Sequence, residues 1–506
     1  MKELYQSLME KIREVSLIGE VLNLLYWDQQ VMMPTKGYEQ RGAQTSYLES
    51  VVHQKFTDPT IGELLARIHN HSDFKELTDL EKRNIELIQR DYDKETKIPK
   101  ELVEEMSIHG NKADQMWKKA KKESDFALFE PYLEKWIELL KKRASYIDPL
   151  KPPFEVLLDE YERGFTSDFY TEIFNELKGH LVPLIKQILN SPNQPNTSLI
   201  KRQCSIPIQK RISKDLLPII GYDLEAGRLD VAVHPFTNGI LDDVRITTEY
   251  NEEDFSVNLF CVLHEGGHGI YEQNKPREYH REPIGRESSA GMHESQSRFF
   301  ENMIGRCTEF WEFYLPKLKK IAAPIFDDVE LLPFVHALNQ IQNSLIRVEA
   351  DEVTYSLHCL LRFEIERDLF ARKIKVKDLP QIWNSKIKEY FALDVPNDTQ
   401  GVLQDTHWAW GLFGYFPTYT LGNLYGAQFL NKLSKDIPDW KEKLKQGDVL
   451  TLKEWLTENI HQKGAIYDPL DLIKEVTGET LNPKYFIDYL KEKYSKLYEL
   501  EYSSKS

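Results

Sequence analysis

Long apolar runs are absent from this sequence. Nowhere do its 506 residues approach the roughly 18 uninterrupted apolar positions that a membrane-spanning helix needs. The first twenty residues, MKELYQSLMEKIREVSLIGE, break every hydrophobic stretch with a charge, so the core of a secretion signal is missing as well. Cysteine is scarce. Cys204, Cys261, Cys307 and Cys359 form no CxxC pair and are expected to be reduced and partly buried, with the cytoplasm as the compartment. Basic charge is in deficit: the formal net charge of -16 argues against a nucleic-acid partner, whose backbone demands clustered Lys and Arg. An acidic exterior can still enclose a local basic pocket, so small substrates are not excluded. There is no repeat at solenoid spacing and no low-complexity segment.

What is present is mostly helix. Residues 2–30, 75–93, 99–145 and 166–190 carry apolar positions at three- and four-residue spacing among Glu, Lys and Gln. Residues 191–199, SPNQPNTSL, are the best linker candidate, separating an N-terminal helical part (1–190) from the part carrying the motifs (200–506). The reading preferred here is a surface loop within one large domain, 1–506. Strand signal is confined to residues 228–250, where RLDVAVHPFT and DVRITTEY are short, β-branched, alternating runs joined by the turn-like NGILD. Helical spacing resumes at once, with Phe255, Leu259, Val262 and Leu263 as an apolar stripe. The expected architecture is mostly α, with one small sheet beside the helix that follows it.

That helix carries His264-Glu265-Gly266-Gly267-His268, an HExxH motif. Residues four apart lie one turn apart on the same helix face, so both imidazoles can reach one ion while Glu265 addresses a water molecule beside it. The competing view is a packed helix with two satisfied histidines. The adjacent glycines weigh against that view, since each costs about 1 kcal/mol relative to Ala in a helix interior. They suit a flank that admits a close backbone or a substrate.

Catalytic zinc takes three protein ligands and keeps one position open. Glu272 lies too far along the same helix, and Glu278, Glu282 and Glu287 fall in the loop-like PREYHREPIGRES. Glu294, opening HESQSRFFENMIGR about 25 residues beyond His268, has the spacing of a glutamate third ligand on an antiparallel returning helix. His293 is its main rival, with a hydrogen bond to a neighbouring carbonyl as the blander role.

An ordered set of motifs resembles the carboxypeptidase Taq family. It comprises HPF (His234–Phe236), DVRIT (Asp243–Thr247), HEGGH (His264–His268), HESQ (His293–Gln296), IRVEAD (Ile346–Asp351) and GVLQDTHW (Gly401–Trp408), running into GYFPTY (Gly414–Tyr419). LLYWDQQVMMP, LLDEYERG and a tail around HQKG support it, so the likeness spans nearly the whole chain. The chain departs from the family pattern at Glu249, where a basic residue is common, and at Arg163, where proline is frequent. The resemblance implies removal of single C-terminal residues from peptides with broad preference, a divalent ion (zinc or cobalt), a helical fold with a long cleft, and a homodimer. Competing activities are a zinc endopeptidase or dipeptidase of the same chemistry, and an inactive binding protein with a structural metal. The intact Glu265 speaks against the last of these.

Such an enzyme needs a donor to the developing oxyanion: Tyr415 first, Tyr419 second, with His407 as a further donor. It also needs a carboxylate reader, and the planar fork of arginine suits the task. Arg347 is preferred over Arg245. The bland alternatives are ion pairs of Arg347 with Asp351 and of Arg245 with Asp243. Gln404 and Asp405 are expected to orient other groups, for instance a ligand imidazole. The DVRITTEY strand is expected to pair with substrate backbone, and His234 joins the substrate-binding set through HPF.

Overall fold

The computed structural model describes residues 1–500. The chain divides into two compact units, each assembled from three stretches of sequence. The first unit combines Met1–Thr96, Asn196–Leu338 and Phe429–Thr480. The second combines Lys97–Pro195, Asn339–Gln428 and the chain from Leu481 on. One crossing, after Pro195, falls inside the turn-rich stretch 191–199. Helix dominates both units, and no described helix is long and apolar enough to cross a membrane.

In the first unit the N-terminal helix Lys2–Val31 packs Leu8, Met9 and Ile12 against Ile61, Leu65 and Ile68 of helix Pro59–His69. The unit's sheet has three strands: β1 (Gly227–Val231), β2 (Thr237–Ile240) and β3 (Asp243–Thr248), in the order β1-β3-β2. β1 runs parallel and β2 antiparallel to β3. This differs from the two-strand expectation. The run RLDVAVHPFT bends at residues 232–236, and Asn238, Gly239 and Ile240 lie in a strand rather than in a turn. The turn shrinks to Leu241 and Asp242. Leu241 takes the left-handed conformation (φ 56°) with its side chain buried and its N–H given to Glu272 O at 3.1 Å. The expectation that the DVRITTEY strand pairs with substrate is also corrected: β3 is the central strand, and both of its edges are already occupied.

The site helix, Phe255–Gln273, starts where Asp254 accepts the N–H of Ser256 at 3.0 Å, a side-chain cap. Phe255, Leu259, Val262 and Leu263 are wholly buried, each contributing about 1.5–3 kcal/mol of burial. A Cβ at Gly269 would lie 2.7 Å from the Tyr222 ring and 3.0 Å from the Ile246 side chain of β3, so the bare glycine lets the helix lie close against them.

In the second unit, residues 99–145 form two helices rather than one, Lys100–Glu123 and Glu130–Ile147. The break comes at Ser124, which is left-handed (φ 55°), and at Asp125, which caps the N–H of Ala127. The unit's central helix, Tyr355–Phe370, is buried on almost every side, with Phe363 among the rings of Phe154, Tyr170 and Phe174.

Candidate metal centre

The returning helix, Ala290–Arg298, is capped by Ser289, whose hydroxyl accepts the N–H of Met292 at 3.0 Å, and it runs into a wide π-type turn at Phe299–Ile304. Its contacts with the site helix fall in reverse order: Glu272 with His293, His268 with Glu294, Gly267 with Gln296, His264 with Glu301. The two helices are therefore antiparallel. Gly267 makes the approach feasible, because a Cβ there would lie 2.6 Å from Gln296 O and 2.8 Å from Ser297 Cα. His461, from the last stretch of the unit, bonds Gln296 Oε1 at 2.8 Å and supports the returning helix from behind.

This approach brings His264, His268 and Glu294 together, with one potential ligand atom from each within 4.8 Å of the others. Glu294 Oε2 lies 3.5 Å from His268 Nε2 and 3.9 Å from His264 Nε2. Tetrahedral zinc with bonds of ~2.1 Å separates its ligand atoms by roughly 3.4 Å, so the donor set fits a divalent ion with small adjustment.

The hydrogen bonds decide which ring nitrogens are free. His264 gives Nδ1–H to Glu301 Oε2 at 2.9 Å. The His268 Nδ1 faces His293 Nδ1 at 2.5 Å, and His293 Nε2 faces Glu272 Oε1 at 2.7 Å. The consistent assignment has His268 donating to His293 and His293 donating to the Glu272 carboxylate. Both imidazoles then present a bare Nε2 to the donor set, while His293 has both nitrogens engaged elsewhere. Glu272 is further held by the buried Lys275, which also pairs with Glu287. Glu282 is bound by Arg13 and Asn84. None of these three carboxylates is available as a ligand.

Charge at the centre is balanced by Arg298, which donates to Glu294 Oε1 at 2.7 Å and to Glu301 Oε2 at 3.0 Å. Burial alone would raise the Glu294 carboxyl, but Arg298 and the imidazoles pull it well below the usual carboxylate range. Glu301 falls to about 2, as Arg298 and His264 outweigh its burial. Burial pulls His264 down, but Glu294 and Glu301 outweigh it, leaving the group above its ordinary value. Burial and His293 lower His268 to about 3. Glu265, buried beside them, is raised by desolvation, which His264 and Thr237 only partly offset. Thr237 of β2 donates its hydroxyl to Glu265 Oε2 at 2.6 Å, leaving Oε1 as the carboxylate's open oxygen.

Two other first-unit residues stand apart from this donor set. Arg245 grips Asp243 with two hydrogen bonds (2.8 and 3.0 Å) and lies 4.3 Å above the ring of Trp27. His234 is exposed on the connection between β1 and β2.

The remaining sequence candidates belong to the second unit. Arg347 is buried and donates Nε to Asp405 Oδ1 (3.0 Å) and Nη1 to Tyr355 (2.9 Å). Asp351, the ion-pair partner of the bland alternative, instead accepts the N–H groups of Gln342, Val353 and Thr354. Asp405 is shared with Arg362, a fully buried guanidinium over the Trp383 ring that no motif pointed to. Gln404 Oε1 accepts from Arg347 N and Arg362 Nη2, so Gln404 and Asp405 orient arginines rather than an imidazole. Tyr419 lies under Arg347 at 5.0 Å, and its hydroxyl is 3.3 Å from His407 Nε2. Tyr415 stands edge-on to Tyr419 at 5.1 Å. Burial lowers His407 to about 4.

Glu301, Thr237, Arg298 and Arg362 were missed by sequence reasoning. Two of them had a signal: Arg298 lies four residues beyond Glu294, one helical turn away, and Glu301 seven beyond it, about two turns.

Known proteins resemble this chain over nearly its whole length. The family profile described as Carboxypeptidase Taq (M32) metallopeptidase matches residues 7–494. Carboxypeptidase 1 of Bacillus subtilis is 41% identical over 488 residues, covering 96% of this chain and 97% of that protein. Thermostable carboxypeptidase 1 of Thermus thermophilus is 39% identical over 504 residues, covering 98% and 99%. The crystal structure of the M32 carboxypeptidase from Deinococcus radiodurans superposes with a TM-score of 0.95 at 34% identity, covering 98% of this chain and all of that one (100%). The chain belongs to the carboxypeptidase Taq (M32) metallopeptidase family, and its activity is that of a metallocarboxypeptidase.

Proposed function

We propose that the protein releases single residues from the free C-termini of peptides with broad preference, using zinc held by His264, His268 and Glu294 and Glu265 as general base. The observation that carries this reading is the pairing of a ligand set with bare nitrogens and a separate buried carboxylate beside it. Bound there, the ion would supply Lewis acidity, drawing electron density from the scissile carbonyl and lowering the pKa of water. Thr237 fixes the Glu265 carboxylate through Oε2, and Oε1 takes the proton of the attacking water. The raised pKa of Glu265 suits a group that next hands that proton to the departing amine. Glu301 and His293 hold the two imidazoles in the ligating tautomer.

The other roles are assigned to the second unit. Arg347 reads the terminal carboxylate, supported by two arginines sharing the single Asp405 carboxylate, which leaves excess positive charge. Tyr415 is the first choice and Tyr419 the second for stabilising the oxyanion, with His407 as a further donor.

The test is Glu265→Gln in the zinc-loaded protein. Full zinc content with turnover reduced about 10²- to 10⁴-fold is expected. Cleavage near the wild-type rate would overturn the assignment.

A further inference from the structure

The central helix of the second unit buries a glutamate that lies outside all of the sequence motifs. Glu366 has no exposed surface, and one loop supplies a donor to each of its oxygens. Trp408 gives Nε1–H to Oε1 at 2.7 Å, and Gly414 gives its backbone N–H to Oε2 at 2.9 Å. Among the described residues Glu366 has no other side-chain hydrogen bond and no ion-pair partner. Stripping a carboxylate of water with no cation in contact is costly. A side chain kept only for packing would be apolar, and a glutamine would supply a single acceptor. A carboxylate is the side chain that offers two acceptor oxygens and no donor.

The two donors are chain neighbours of two candidate catalytic groups: Trp408 follows His407, and Gly414 precedes Tyr415. The stretch between them is a tight loop. Leu412 gives its N–H to His407 O at 3.0 Å, Gly411 is left-handed (φ 72°), and Trp136 of helix Glu130–Ile147 gives Nε1–H to Ala409 O at 3.0 Å. Gly414 (φ 85°) also lies against the backbone of helix Pro153–Tyr161, where a Cβ would come 3.0 Å from Leu157 C. The loop is thus fixed at both ends. The His407 and Tyr415 rings stand 5.7 Å apart, centre to centre, with 31° between their planes.

We infer that Glu366 is a positioning residue for the reaction: its two oxygens fix the spacing of Trp408 and Gly414 and thereby hold His407 and Tyr415 as one unit. This inference rests on the reading of Tyr415 and His407 as oxyanion donors. Hydrogen bonds to a charged acceptor are the strong ones, and donors aimed at a charge that develops in the transition state must be fixed in advance. A misplacement approaching 1 Å costs on the order of 10²-fold. That loss falls on kcat and spares KM, because the ground state carries no oxyanion. The grip also depends on pH. Burial raises Glu366 to about 8, and its two donors and Arg362 offset only part of the rise. Asp405 and Tyr161 face it as well, but Asp405 is held far below the usual carboxylate range and Tyr161 is raised above its ordinary value. His407 is lowered to about 4, and Arg362 keeps its charge. Between about pH 6.5 and 9.5 Glu366 is therefore the member of this set that changes charge, and the two-bond grip forms as its proton leaves.

The experiment compares Glu366→Gln with wild type, both as full-length zinc-loaded protein, on a peptide with a free C-terminus. Above about pH 9, kcat should fall about 10- to 100-fold, with KM and zinc content within about two-fold of wild type. Toward about pH 6.5 the gap should close to about two-fold, since the wild-type carboxyl is then protonated too. A gap of constant size, or one in KM rather than kcat, overturns the inference. Trp408→Phe supplies a second reading if the glutamine variant does not fold. It removes one donor and leaves the carboxyl, so the rise of kcat with pH should move up by about one unit. A rise that stays in place overturns the grip. The donors are tested alongside. On top of Tyr415→Phe with His407→Gln, Glu366→Gln should cost less than about two-fold, because the groups it positions are gone. A full further loss there overturns the inference. Donor variants that turn over at the wild-type rate sink the donor reading and the inference with it. Slow donor variants beside an unaffected Glu366→Gln sink the inference alone.

Discussion

Gly267→Ala should uncouple metal binding from stability. The added Cβ would sit 2.6 Å from Gln296 O and 2.8 Å from Ser297 Cα, where ordinary contact begins near 3.4 Å. Both obstacles are backbone, so the site and returning helices must part by about 0.6–0.8 Å. Stability changes little: overpacking costs about 1–3 kcal/mol, and alanine returns about 1 kcal/mol of helix propensity. Ligation has no such tolerance. Glu294 rides on the displaced helix, and metal–ligand distances are good only to about ±0.2 Å. A misplacement approaching 1 Å at a reacting centre costs on the order of 10²-fold. The expected result is a melting temperature within a few degrees of wild type, with zinc affinity and kcat/KM each down about 10²-fold. Gly266→Ala is the control. Its Cβ meets Ile220 Cδ1 at 2.6 Å, the tip of a flexible side chain that can swing aside. Zinc affinity measured by chelator competition, alongside thermal melts of both variants, decides the matter. If Gly267→Ala binds zinc within two-fold of wild type, or Gly266→Ala is equally damaged, the close-approach reasoning is wrong.

Zinc affinity should also depend on pH with a slope of one. Only neutral imidazole ligates, and His264 is held above its ordinary value of 6.5 while His268 lies near 3. Lowering the pH through the raised His264 value adds one competing proton, so affinity stays level above it and falls about ten-fold per pH unit below it. A two-decade slope, or no decline by pH 6, would contradict this. Glu294→Ala should strip the metal, whereas Glu301→Ala, which removes the partner of His264 Nδ1, should weaken binding about 10- to 100-fold. Metal content after dialysis separates the two. For Arg347→Ala, kcat/KM on free-acid and amidated peptides should yield a coupling of about 2–5 kcal/mol. A coupling near zero would return Arg347 to a structural role beside Asp405.

Residues positioned by helix periodicity were legible in the sequence. His264, Glu265 and His268 follow from a repeat of 3.6 residues, and Gly267 announced its close contact by breaking local preference. Contacts made between elements were not legible. His293 and Glu294 are adjacent on one short helix, and only the position of Glu272 on the opposing helix shows which way each points. Arg347 has an acidic residue at the spacing of a helical partner, yet the chain there forms a single 3-10 turn, and Asp351 spends its oxygens capping the next segment. The split of RLDVAVHPFT into a strand, a bend and a second strand left no mark in alternation, because HPF continues the apolar pattern through the bend. Thr237 reaches Glu265 only because of that bend.

The interleaving of the two units has a consequence for synthesis. The chain changes unit after residues 96, 195, 338, 428 and 480, so neither unit is complete until more than nine-tenths of the protein has been made. The His264, His268 and Glu294 cluster leaves the ribosome well before His461, which supports the helix bearing Glu294. A nascent chain halted near residue 340 therefore holds all three cluster residues without that support, and it still lacks most of the second unit. Contacts that span such sequence distances slow folding and prolong the exposure of apolar surface. Cutting the gene at any single point cannot yield either unit alone. Isolating one requires rejoining three segments.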